Sequence, residues 1–259
     1  MEGHINREKR SVTMYTAYCR TFQSSMRIGM KLMNWRKPEL LQGENSILKL
    51  PVLIEKLNLK KVLIITDEGI NKLQLMNPLL KELDGQNIAY VIYSKTVPNP
   101  TFINIEEALE LYYMHDCEGI IAFGGGSPID CAKVVAARIA RPTKSITDLK
   151  GLFKVRKEMP PFFAVPTTAG TGSEGTIAAV VSNSDTHEKF AIMDPVLIPH
   201  YAVLDPVLTV NLPPHITSTT GMDALTHAVE AYIGKSNTEE TRKYAREAVI
   251  LIFKYLLRA

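Results

Sequence analysis

Three stretches of this chain carry side chains whose types and spacing could do chemistry. In "GGGSPIDCAK" (124–133) three glycines follow the apolar run "GIIAF" and lead into a helical pattern. Glycines let a ligand approach the backbone closely, and a helix start presents free N–H groups and partial positive charge, so this turn suits a pyrophosphate. The sequence places Ser127 at the N-cap and Pro128 in the first turn, where its missing N–H costs nothing. The spacing is neither G-x-G-x-x-G nor a P-loop, and a tight strand-to-helix turn without a ligand fits the residues equally well. In "VPTTAGTGSEGT" (165–176), threonine hydroxyls and glycine amides could bind ribose or phosphate oxygens, or form an ordinary polar loop. In "TGMDALTHAVEAY" (220–232), Asp223 and His227 are four apart and share a helix face. A carboxylate and an imidazole at that spacing suit a divalent metal such as Fe²⁺ or Zn²⁺. An acid near the helix start with a packing histidine accounts for them as well.

The elements that must position these groups read as follows. "VLIIT" (62–66), "IAYVIY" (88–93), "GIIAF" (119–123) and "FFAVP" (162–166) are short apolar runs of strand type. Helical patterns separate the first three: a stretch before Asp84, "INIEEALELYYMH" (103–115), then "IDCAKVVAARIA" (129–140) after the third. Alternating strands and helices predict an α/β fold with a parallel sheet covered on both faces. Further short strands are expected at "IAAVVS", "KFAIM" and "YAVL", and from Ile216 the texture is helical. The expected organisation is an N-terminal extension (1–45), a dinucleotide-binding α/β domain (46–213) and the start of an all-helical metal and substrate domain (214–259), divided at Pro213–Pro214. Two glycine-bearing loops at the C-terminal ends of strands in one sheet point to a ligand more strongly than either alone, since open α/β sheets bind there.

Composition narrows the function classes. With 259 residues, 46% hydrophobic and a formal net charge of +3, the chain reads as a globular protein with no charge argument for nucleic acid. It has no run of 18 or more apolar residues and no apolar leader, so no membrane partner and a cytoplasmic location are expected. Three widely spaced cysteines suit a reducing compartment.

From about "KVLIITDEGI" onward the sequence resembles the iron-containing (group III) alcohol dehydrogenase family, on "GGGSPIDCAK", "PTTAGTGSE" and "GMDALTHAVEAY". Gly175 departs from the pattern, which usually has Val or Thr there. The resemblance implies hydride transfer between NAD and a small alcohol or aldehyde, a bound Fe²⁺ (Zn²⁺ also suits the ligands), and a homo-oligomer at full length. It assigns Gly125, Gly126, Ser127 and Asp130 to the pyrophosphate and its neighbourhood, and Thr167, Thr168 and Thr171 to the second nucleotide loop. Asn99 and Lys189 fall on looser cofactor-contacting positions. Asp67 matches the position that accepts an adenosine ribose hydroxyl; its carboxylate would repel a 2′-phosphate, which favours NAD, and it also suits an N-cap for "EGINKL". Asp223 and His227 match two of four metal ligands. The other two should be histidines further along the helical domain. His4, His115, His187, His200 and His215 lie outside the matching motifs and none follows His227, so only part of that domain is expected here. The readings to weigh against a dehydrogenase are a glycerol dehydrogenase-like relative and a dinucleotide-binding fragment without catalysis.

Overall fold

The structure, a computed structural model, describes residues 36–184, 186, 188–235 and 237–259, together with 16, 18–21 and 24. His4, His187 and most of the N-terminal extension lie outside the described residues. Six strands form one parallel sheet: β1 (Glu39–Gln42), β2 (Lys61–Ile65), β3 (Ala89–Tyr93), β4 (Gly119–Gly124), β6 (Phe162–Pro166) and β9 (Tyr201–Leu204), in the order β1-β9-β6-β4-β2-β3. The helices are α1 (Leu50–Lys56), α2 (Glu68–Lys72), α3 (Asn77–Gly85), α4 (Phe102–Met114) and α5 (Gly126–Ala140).

Strand alternation divides the core between the sheet's two faces. Leu63, Ile65, Ile120, Ala122, Phe162 and Ala164 point to the side covered by α4 and α5. Val62, Ile64, Ile121, Phe123, Phe163 and Val165 point to the side covered by α1 and α3. Successive side chains lie on opposite faces, so a strand buried on both must be apolar throughout, and β4 is buried at every residue. Small residues on α5, among them Ala132, Ala136 and Ala137, are fully buried against the sheet. The α/β fold with a doubly covered parallel sheet is the one expected.

Two features differ from the sequence reading. Glu39–Gln42, inside the stretch read as an extension, is an edge strand paired residue by residue with β9. Asp205 seals that junction, its two oxygens accepting from the backbone N–H of Asn45 and Ile47 at 3.1 Å each. Second, β7 (Ala178–Ser182) and β8 (Lys189–Met193) do not extend the parallel sheet. With β5 (Gly151–Leu152) they form a separate sheet in the order β5-β8-β7, in which β7 and β8 run antiparallel.

After β9 the chain turns helical, as expected. Pro213 is the N-cap of α6 (Pro214–Ile233), and Thr238 caps α7 (Glu239–Tyr255), its hydroxyl accepting from Thr241 N–H. The two helices lie together where Gly221 meets Leu256: a Cβ at residue 221 would collide with that leucine. Among the described residues no helix is long and apolar enough to cross a membrane.

Candidate functional site

The loops that leave the C-terminal ends of β2, β3, β4 and β6 surround a cleft of about 840 Å³, within the range of small-molecule and cofactor sites. Asp67 and its neighbours come from the first loop, Ser94–Pro98 from the second, Gly125–Pro128 from the third, and Thr167 and Thr168 from the fourth. Leu212, Pro213 and Ile216 close one side, so the cleft reaches the start of α6.

Why glycine is needed differs along the triplet. Gly124 has φ 150°, a backbone conformation that L side chains rarely adopt, and a Cβ there would lie 2.6 Å from Pro128 Cγ. Gly125 has an ordinary φ of −75° but no spare room, its added Cβ falling 3.3 Å from Thr168 Oγ1. At Gly126 the obstacle is Thr171, whose Cγ2 would be 3.0 Å away. Helix α5 starts at Gly126 with Gly125 as N-cap and no side-chain cap, so its first N–H groups are left for a ligand or water. Ser127 is therefore not the N-cap that the sequence suggested. The helix begins earlier because Gly125 already turns the chain, and Ser127 Oγ accepts from Asn99 N–H at 3.3 Å. Asn99 itself adopts the left-handed conformation, φ 55°.

The fourth loop is stitched to the third. Thr167 N–H donates to Gly124 O at 3.0 Å, and Thr167 is buried. Asp67 caps α2, its Oδ1 accepting from Ile70 N–H at 2.8 Å, while Oδ2 lies 3.5 Å from where a Cβ on Gly124 would be. One carboxylate thus serves the cap with one oxygen and faces the glycine turn with the other.

Four residues assigned to the cofactor by resemblance do not line the cleft: Asn99, Asp130, Thr171 and Lys189. Asp130 lies behind the loops, where it accepts from Ser173 Oγ at 2.5 Å and Val180 N–H at 3.0 Å; burial still pushes its carboxyl above the usual range. Lys189 is exposed on β8, in register with Ser182, and is also absent from the cleft wall. What sequence reasoning missed is the Ser94–Pro98 wall and the Leu212–Ile216 side. The only available signal for the former was its place after a strand, at the C-terminal edge of the sheet. Also missed was Lys133, fully buried on α5, whose ammonium burial pushes down to about 8.

Asp223 and His227 share a face of α6, with Nε2 and Oδ1 3.7 Å apart and both side chains about half exposed. Ile216, at the cleft, continues along the helix through Thr220 to Asp223 and His227 in steps of four, three and four residues, so this face runs out of the cleft. With a rise of 1.5 Å per residue, Asp223 is about 10 Å and His227 about 16 Å along the axis from Ile216. The pair has the donor chemistry for a divalent ion, but supplies only half of a four-ligand shell. Among the described residues no group of three or more His, Cys, Asp or Glu side chains is placed to hold a metal.

The glycine loop also touches this helix. A Cβ on Gly170 would lie 2.5 Å from Thr220 O and 2.9 Å from Thr220 Cα, and neither backbone atom can swing aside. Gly170→Ala should therefore push α6 off the loop and cost about 1–3 kcal/mol, read as a lower urea midpoint. A midpoint equal to the parent's would mean that α6 is not seated there.

Residues 38–206 match the family model described as iron-containing alcohol dehydrogenase, and residues 217–259 match that of the Fe-containing alcohol dehydrogenase family, C-terminal. Alcohol dehydrogenase 4 of Schizosaccharomyces pombe is 38% identical over 219 residues, covering 85% of this chain and 52% of that protein. The NAD-dependent methanol dehydrogenase of Bacillus methanolicus is 33% identical over 222 residues, covering 86% of this chain and 58% of that protein. Among solved structures, a 1,3-propanediol oxidoreductase superposes with a TM-score of 0.82 at 34% identity, over 87% of this chain and 59% of that one. The chain thus spans little more than half the length of the relatives it matches.

Proposed function

From the premise that the chain belongs to the iron-containing alcohol dehydrogenase family, we propose that it carries the NAD-binding half, and two of the metal ligands, of an enzyme that transfers a hydride between nicotinamide and a small alcohol or aldehyde. The observation that supports this most is the pair of stitched loops, in which a Cβ on Gly125 or Gly126 would already crowd Thr168 or Thr171 beside an open cleft. The α5 N-terminus and the glycine amides hold the pyrophosphate. Thr168, across from Gly125, and Thr171, against Gly126, flank it with hydroxyls. Asp67 Oδ2 accepts from the adenosine ribose, and Asn99 and Ser127 brace one rim. Asp130 serves from behind, holding the second loop rather than touching the cofactor. When bound, the nicotinamide supplies or takes the hydride, and a divalent ion (Fe²⁺, with Zn²⁺ suited to the same donors) on Asp223, His227 and further ligands polarises the substrate oxygen. Leu212 and Ile216 give the cleft an apolar wall beside that face.

The half-shell at Asp223 and His227 supports a second reading for the 259-residue chain taken alone, dinucleotide binding without catalysis. Calorimetric titration with NADH beside metal analysis separates the two. Binding with stoichiometric metal supports catalysis by this chain itself, binding without it supports the second reading for the chain taken alone, and no NADH binding defeats both.

NAD(H) preference follows from Asp67, whose charge would face a 2′-phosphate. Asp67→Gly should shift the NADPH-to-NADH affinity ratio by about tenfold or more toward NADPH, since a like charge within a few ångströms costs roughly 1–4 kcal/mol near a surface. Glycine is itself an acceptable N-cap, so the stability cost should be only a few tenths of a kcal/mol. An unchanged ratio would leave Asp67 as a cap alone.

A further inference from the structure

Lys133 and Asp130 are three residues apart on one face of α5, the helix whose N-terminus is the glycine turn. Lys133 is fully buried, and its ammonium donates to three oxygens at 2.8 Å each: Thr176 O, Thr176 Oγ1 and Ala178 O. A buried charge persists only where its donors are met, and here all three are. Asp130 takes Ser173 Oγ and Val180 N–H. Both backbone groups belonging to the strand, Ala178 O and Val180 N–H, lie on the outer edge of β7, the last strand in the order β5-β8-β7, whose far end at Ser182 is bridged by Thr101. A lysine and an aspartate on a helix thus stand in for the strand that would otherwise cover that edge.

The consequence is that the loop between β6 and β7 is fastened at both ends to a single segment. Its start is held by Thr167 N–H on Gly124 O, and its end by Lys133 and Asp130, all within "GGGSPIDCAK". Between the fastenings lie Thr168 and Thr171, already against Gly125 and Gly126. Glu174, in the 3-10 turn Ser173–Gly175, has its carboxyl pushed up by burial and is steadied by the Lys133 charge.

We propose that Lys133 and Asp130 are positioning residues that hold the second nucleotide loop at the distance from the glycine turn at which both close on one dinucleotide. This rests on the dinucleotide reading above. Neither residue touches the ligand; they act through Thr176, Ser173 and the β7 edge.

The test uses Lys133→Met, which keeps length and removes the donors, and compares two ligands by calorimetry. AMP reaches Asp67 with its ribose but lacks the pyrophosphate that lies between the glycine turn and the second loop, whereas NADH carries it. The variant should weaken NADH at least tenfold and AMP less than threefold, with faster amide exchange across 173–180. General damage to the fold would weaken both ligands alike; equal losses, or none, would overturn the proposal. If Lys133→Met does not fold, Thr176→Val removes one of the three acceptors, and NADH alone should weaken, by about threefold; an NADH affinity equal to the parent's overturns the proposal. If the parent itself fails to bind NADH, the dinucleotide reading falls, and exchange across 173–180 decides the clasp: unchanged rates overturn it and faster rates uphold it.

Discussion

Gly125→Val should abolish NADH binding, raising Kd at least a hundredfold, while the folded chain keeps its circular dichroism spectrum and its thermal midpoint to within a few degrees. The backbone at Gly125, φ −75° and ψ −162°, is open to any residue, so the substitution does not strain the turn itself. What it lacks is space. The new Cβ would already be 3.3 Å from Thr168 Oγ1, and the two further methyl groups of valine must press on Thr168 or enter the cleft. Hydrogen bonds to a charged group contribute roughly 1.5–3 kcal/mol each, so displacing the pyrophosphate from two amides removes about 3–6 kcal/mol, a factor of a hundred or more. Gly124→Val is the contrasting variant. There φ is 150° and Pro128 Cγ would be 2.6 Å away, so the fold itself should suffer. Titration calorimetry beside thermal melting reads both, and a Gly125→Val chain that binds NADH within threefold of the parent would show that the turn holds no phosphate.

The second large effect concerns metal. Purified as 259 residues, the chain should retain roughly a tenth of an Fe²⁺ or Zn²⁺ per molecule or less after desalting, because two protein ligands leave the rest of the shell to water. NADH formation from NAD with ethanol, butanol or 1,2-propanediol should not rise above the blank, even with added metal. Asp223 and His227 are half exposed, and no third donor stands with them among the described residues. Helices α6 and α7 and the turn after them leave Ile233, Phe253 and Leu257 exposed at 71%, 73% and 97%, so an apolar dye should fluoresce strongly on this surface. Stoichiometric metal with robust turnover would refute this and would place the remaining ligands on a second copy of the chain.

How far the sequence could be read depended on whether the signal was local. The strands buried on both faces announced themselves as unbroken apolar runs, and "PP" followed by helical texture marked where α6 begins. Strand β1 did not: "ELLQ" is four residues at a sheet edge, with Leu40 itself half exposed. Nor could "AAVVS" and "KFAIM" reveal that they pair with each other and not with β9, because pairing is a long-range choice that short apolar runs do not encode. At the site, the cap role of Asp67 was legible because an N-cap is a local pattern. The helix start at Gly126 was misread by two residues, since glycine caps without leaving a side-chain signature. Lys133 was invisible for a different reason. A lysine in an alanine-rich helix reads as a solvated side chain, and only the fold brings the β7 edge to it.

The pairing of β1 with β9 carries a consequence for how the molecule is made. Asn45 and Asp205 meet across 160 residues of sequence, and among the described strands of the sheet β1 is the first to be translated. At ordinary elongation rates of about 5–20 residues per second, its partner follows about 8–30 s later. Through that interval "ELLQ" has no neighbour, while β2, β3 and β4, close together in the chain, can already associate. The cost of closing so long a loop makes such contacts late ones in folding generally. Among the described strands, the one synthesised first must wait for the one synthesised last.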